Sequence, residues 1–229
     1  MDGRSPPPAS PGYPAITATR KTGEEPIIAG DGAAAGLRLA DFWAWSASDL
    51  LSNATRGILA EYLVAAALGL ADGVRAEWDA YDLRTREKTK VEVKSAAYLQ
   101  TWYHRELSKI RFGIRPTRAW DAATNLLDDV ARIQADVYVF CVLKHQEKAS
   151  VNPLDLRQWE FHVLHANVLR ERAPAQRSIS LVGVLALGAT TVRYEELASA
   201  VKAVASSAAT TSFDAVAPGA SDPRLDPSD

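Results

Sequence analysis

Apolar and polar positions divide the chain into segments with distinct periods. The strongest pattern is ATRGILAEYLVAAALGLADG, residues 54–73. It is rich in Ala and Leu and predicts a helix, with Asn53 or Thr55 as its cap and Gly69 and Gly73 as stop signals. EWDAYDL and KVEVKSA predict two strands of a hairpin around the polar turn TREKT. Side chains two apart on a strand share a face. Tyr81 and Leu83 therefore point one way, and Asp82 the other with Ala80; Val91 and Val93 oppose Glu92 and Lys94. KIRFGI alternates apolar and basic residues, as a third half-buried strand does. LLDDVARIQA predicts a helix. ADVYVFCVL is a nearly unbroken β-branched and aromatic run, suited to a strand covered on both faces. QWEFHVL predicts a further strand, SLVGVLAL fits helix or strand, and YEELASAVKAVA predicts a closing helix. Upstream, DFWAWSASDLLSN predicts a short aromatic helix.

This order, α-β-β-β-α-β with a small appendage, predicts an α/β domain with a central mixed sheet flanked by helices. Residues 1–34 are rich in Pro, Gly, Ala and Ser and are expected to form a disordered tail. The folded unit is expected at 35–205. Residues 206–229 are expected as a second, acidic disordered tail, with four Asp and one Arg between Phe213 and Asp229. No internal repeat is visible.

Composition narrows the class. The 229 residues are 47% hydrophobic, ordinary for a globular protein. Cys141 is the only cysteine, which excludes an internal disulfide framework and a Cys-rich zinc site; inside VYVFCVL it reads as a small core residue. No apolar run is long enough for a membrane span, and the N-terminus lacks the pattern of a secretory signal, so no membrane association is expected and the cytoplasm is the expected compartment. The net charge is −2, but from Arg84 to Arg118 ten Lys/Arg face three Glu. Phosphate binding responds to that local field rather than to the sum over the chain.

The hairpin sets Asp82 beside Glu92. Two carboxylates on one face repel, and binding Mg²⁺ is one way to resolve this, since that ion takes a few carboxylate oxygens together with water and phosphate. Lys94, two residues from Glu92, then reaches the phosphate or the attacking water. Glu61 lies in the apolar helix beside Val64, Ala65 and Leu68, where an unpaired carboxylate is costly.

GILAEYLVAAALG, WDAYDL and KVEVKSAAYLQ together resemble the core of the PD-(D/E)XK nuclease superfamily, the restriction-endonuclease-like fold, over roughly residues 55–143, and the chain is similar to bacterial members of it. The matching positions are Glu61, Asp82, Glu92 and Lys94. The proline that often precedes the Asp is replaced by Tyr81. The resemblance implies that Asp82 and Glu92 bind Mg²⁺, for which Mn²⁺ can substitute. It also implies that Lys94 assists the nucleophilic water and that Glu61 supports metal or water. Gln100 resembles the glutamine that several branches place shortly after the Lys, close to the site.

The expected function is Mg²⁺-dependent hydrolysis of phosphodiesters, with DNA as partner. Arg84, Arg86, Lys88 and Lys90 on the hairpin, and Arg105, Lys109 and Arg111 after it, are the expected phosphate contacts. Trp102, Tyr103 and His104 are candidates for stacking on a base. The alternatives are a catalytically silent nucleic-acid or protein binding module, and a cleavage subunit dependent on a specificity partner; a homodimer is also open. The four histidines do not make a metal set. A phosphate-binding Walker loop and a serine-hydrolase elbow are absent, which disfavours an NTPase or a serine hydrolase.

Overall fold

The computed structural model describes residues 16–77, 79–121 and 126–211; Trp78 and the outer parts of both expected tails, 1–15 and 212–229, lie outside them. In chain order, a hairpin of β1 (Pro26–Ile28) and β2 (Ala34–Arg38) leads into helices α1 (Leu39–Ala47) and α2 (Asn53–Ala67). Next come β3 (Leu83–Arg84), β4 (Lys90–Ala97), β5 (Arg111–Gly113), β6 (Trp120–Asp121), β7 (Leu126–Leu127) and β8 (Val137–Leu143). They are followed by β9 (Trp159–His165), α3 (Ala166–Arg172), β10 (Ser178–Ser180), α4 (Leu181–Ala186), β11 (Thr190–Val192) and α5 (Leu197–Thr211).

Five of these strands build one mixed sheet in the order β11-β9-β8-β4-β3. β4 and β8 run parallel, and the other pairs are antiparallel. All seven residues of β8 are buried, as its unbroken apolar run requires. Alternation along the strands sorts the core into two layers. Val91, Val93, Val139 and Cys141 face Ala60 and Val64 of α2 and Leu197 and Val201 of α5. On the other face, Tyr138, Phe140 and Val142 meet Phe112, Leu169, Ile179 and Val184. The Phe112 and Phe140 rings are 4.9 Å apart and tilted, a favourable aromatic geometry. Among the described residues, no helix is long and apolar enough to cross a membrane.

Ser52, rather than Asn53 or Thr55, caps α2: its Oγ accepts from the Thr55 N–H at 3.3 Å. Gly69, with φ of 67°, ends the helix as expected, and the Leu70 N–H closes back onto the Ala65 carbonyl at 2.8 Å.

Four features differ from the sequence expectation. LLDDVARIQA is not a helix. Leu126 and Leu127 pair with β6, and Arg132 bridges to Thr117. Leu126, Leu127 and Val130 are exposed, so no apolar stripe is left for a helix to bury. The KIRFGI strand forms, but it pairs with β10 in a separate two-stranded sheet rather than extending the hairpin. The first hairpin strand is only the two residues of β3. The β1–β2 hairpin also takes in residues 26–34 of the stretch expected as a tail.

Candidate active site

The short β3 is enough to place Asp82. Leu83 pairs with Val91 and Arg84 with Lys90, and the same register carries Asp82 opposite Glu92. The Asp82 N–H donates to the Val91 carbonyl at 3.1 Å, and the Val93 N–H donates to Asp82 Oδ2 at 2.7 Å. The backbone of β4 therefore fixes the carboxylate directly.

On the next strand Lys94 Nζ donates to Glu92 Oε1 at 2.5 Å. Both side chains are half-buried. Burial pushes the Glu92 carboxyl above its ordinary range; Lys94 pulls it down, and the charge of Asp82 pushes it up again. Tyr138 lies beside Glu92 on the parallel strand, and its hydroxyl is also pushed up, by burial first and then by Glu92.

Glu61 is only 6% exposed. Arg75 Nε donates to its Oε2 at 2.7 Å. Burial raises the Glu61 carboxyl, Arg75 opposes this, and Asp82 and Glu92 raise it further. The three carboxylates thus feel one another. They do not converge on one point: among the described residues, no group of three or more His, Cys, Asp or Glu is disposed to hold a metal ion. Glu61 is turned to Arg75 instead.

Asp82 forms a wall between two clefts. One, of about 360 Å³, is lined by Glu61, Tyr62, Arg75, Asp79 and Arg84. The other is lined by Asp79, Glu92, Arg118 and Trp120. Asp82 and Glu92 fit a divalent cation: they are paired, half-buried and mutually repulsive, and Mg²⁺ is commonly held by one or two carboxylates completed by water and phosphate oxygens. Only one oxygen of Asp82 is taken by Val93.

The other expected residues divide by location. Arg84 joins the Glu61–Asp82 cleft. Lys90 Nζ lies over the Tyr81 ring, 5.4 Å from its centre. Lys88 is exposed at the hairpin turn with φ of 71°. Arg86 lies away from the carboxylates, in a groove with Gly69 and Lys202. Arg105 is exposed, as are Trp102 and Tyr103. Gln100 is not brought to Asp82 and Glu92. It is buried; its Nε2 donates to the Ala97 carbonyl at 3.3 Å and to Ser108 Oγ at 3.2 Å, and Lys109 and Arg111 line the same pocket. His162 is buried against Thr191, and His165 caps α3, as structural histidines do.

Sequence reasoning missed Arg75 and Asp79. Arg75 lies 14 residues from Glu61, beyond any helical spacing, so no local pattern marks it as the partner.

One strand pair of the mixed sheet thus brings an Asp, a Glu and a lysine together, with the exposed Arg84 beside them. The family model for bacteriophage T4 endonuclease IV matches residues 43–183, more than half of the chain, and the chain belongs to that family. Glu61, Asp82, Glu92, Lys94 and Gln100 all fall inside the matched segment. No curated protein and no solved structure matches the chain.

Proposed function

We propose that this nuclease is a divalent-metal-dependent endonuclease acting on DNA, and that its core is of the PD-(D/E)XK type. The observation that carries the reading is the Asp82–Glu92–Lys94 set, held by one strand pair inside the segment that matches an endonuclease family. Asp82 and Glu92 are the residues that would hold Mg²⁺ or Mn²⁺. When bound, such an ion polarises the phosphoryl oxygens and lowers the pKa of water beside it.

The remaining work falls to this chain's own groups. Lys94 is a half-buried cation beside Glu92, placed to orient water and to offset charge that develops on the phosphate. Glu61, locked by Arg75, adds negative field behind Asp82 and does not ligate directly. Arg84 faces the same cleft and offers a contact for a neighbouring phosphate.

The test uses purified protein with supercoiled plasmid and linear DNA, in Mg²⁺, Mn²⁺ and EDTA. The wild type nicks or cuts in metal, and Lys94→Ala loses a hundredfold or more, roughly. Equal cutting by the two proteins, or equal cutting in EDTA, overturns the assignment of these residues.

A further inference from the structure

Beyond Lys94, β4 runs into a polar pocket on the α2 side of the sheet. It is lined by Asn53, Arg56, Ser95, Gln100, Lys109 and Arg111. Arg56 is the unusual member. It is 3% exposed, yet among the described residues its hydrogen bonds go to neutral acceptors. Nη1 donates to the Leu51 carbonyl at 2.7 Å and lies 3.4 Å from Gln100 Oε1; Nη2 donates to Asn53 Oδ1 at 2.7 Å. Its Nε has no hydrogen-bond partner among the described residues. Ser95 Oγ, in the same pocket, is buried and equally without one. No carboxylate forms an ion pair with Arg56 among the described residues. Burial accordingly lowers the pKa of its guanidinium.

A buried cation with no counter-charge costs several kcal/mol, and an unpaired buried donor adds to this. An arrangement of this kind suits an anion supplied by a ligand. The donors match a phosphate: a planar guanidinium, a hydroxyl, and two exposed cations, Lys109 and Arg111, at the mouth. Asn53 is the first residue of α2, so the positive end of that 15-residue helix adds to the field.

We propose that this pocket binds an internal phosphodiester of the substrate strand, displaced from the one that is cut. The inference rests on the nuclease reading of Asp82, Glu92 and Lys94. A strand rises about 3.3 Å per residue, so the pocket at 95–97, on the face of β4 opposite Glu92, lies at least about 10 Å from it. That is about three nucleotides or more, at about 3.4 Å per nucleotide along one strand. Gln100 acquires a role here: it positions Arg56 rather than touching the scissile group.

Binding is measured with Lys94→Ala protein, so that nothing is cut, by anisotropy of fluorescein-labelled single-stranded and duplex oligonucleotides over a range of salt. Adding Arg56→Met or Lys109→Ala weakens binding by about tenfold, and the slope of log Kd against log salt falls by about one. A single neutral methylphosphonate, walked along the oligonucleotide, weakens the parent protein at one position about three or more nucleotides from the cut. The Arg56→Met protein is insensitive there. Arg56→Met also leaves the melting temperature unchanged or raised, because an uncompensated buried charge is removed.

Unchanged salt slopes in both variants overturn the proposal, and if Arg56→Met does not fold, Lys109→Ala decides alone. Affinity that depends on a terminal 5′-phosphate, with no internal methylphosphonate effect, also overturns it, since the pocket then takes a strand end. Wild-type cleavage assayed in parallel separates the two readings. Cutting with unchanged slopes removes only the pocket; binding with altered slopes but no cutting removes only the catalytic assignment.

Discussion

Replacing Arg75 by Met isolates the buried half of the Glu61–Arg75 pair. The Glu61 side chain is 8% exposed and that of Arg75 is 38% exposed. Breaking a fully buried pair costs about 3–5 kcal/mol, because one charge is left without its partner. Arg75 is open to solvent, where pairs are worth about 0–1 kcal/mol, so the expected loss lies between, at about 2 kcal/mol. Glu61→Gln costs less, since Arg75 can still be hydrated, and the double variant costs little more than Glu61→Gln alone. The pH dependence has a fixed sign. The Glu61 carboxyl is already raised by burial, and losing Arg75 removes what holds it down. A carboxyl raised in the folded state binds its proton more tightly there than in the unfolded chain. Stability therefore falls as pH climbs from the ordinary carboxylate value, about 4.3, through the raised value. The Arg75→Met deficit is full at neutral pH and shrinks in acid. Urea unfolding of the four proteins, at neutral pH and near pH 4.5, measures both effects. A deficit under about 0.5 kcal/mol at neutral pH, or one that grows in acid, refutes the reasoning.

Glu92→Gln abolishes cleavage and changes stability little, because burial and Asp82 disfavour the ionised carboxylate while Lys94 favours it; nicking and thermal-melting assays check both, and a large fall in melting temperature counts against the reading. In the wild type, the proton that burial favours on Glu92 competes with the metal, so cleavage falls in acid. Ser52→Ala removes the α2 cap and lowers stability by about 1 kcal/mol in urea. Phe140→Ala, from the layer shared with Phe112, costs about 3–5 kcal/mol in the same assay. Cys141 is fully buried with its thiol pushed up by burial, so it reacts with a thiol reagent only in denaturant.

Where local pattern and final environment agree, the sequence was readable. β8 is apolar at every position because both its faces are covered, and Glu92 and Lys94 alternate with valines because only one face of β4 is apolar at that edge. α2 was legible from composition and from Gly69, although its cap lies one residue earlier than Asn53. The misread segment, 126–135, carries helix-forming residues, but its backbone groups find partners at Thr117 and Ala119 instead. Tertiary pairing overrode a weak propensity. For KIRFGI the period was right, but its partner, β10, lies 65 residues or more away in the chain, and alternation names no partner. The same limit applies at the site. Asp82, Glu92 and Lys94 share one hairpin, so their proximity was legible. Arg75 beside Glu61, and Gln100 beside Arg56, are contacts between separate segments. Gln100 resembles a family glutamine close to the site, but the chain past Ala97 turns it toward Arg56 of α2.

The parallel pairing of β4 with β8 sets when the sheet can close. These strands lie some forty residues apart in the chain, and the layer behind Val91 and Val93 is completed by Leu197 and Val201 of α5. Closing such a distant contact is slow, and it cannot start until both partners exist. A nascent chain that ends before Leu197 has Asp82, Glu92 and Lys94 but no closed support behind them. Synthesis order therefore delays the closing of this layer until α5 has emerged, and the strands that carry Asp82, Glu92 and Lys94 are the last part of the sheet to gain their backing.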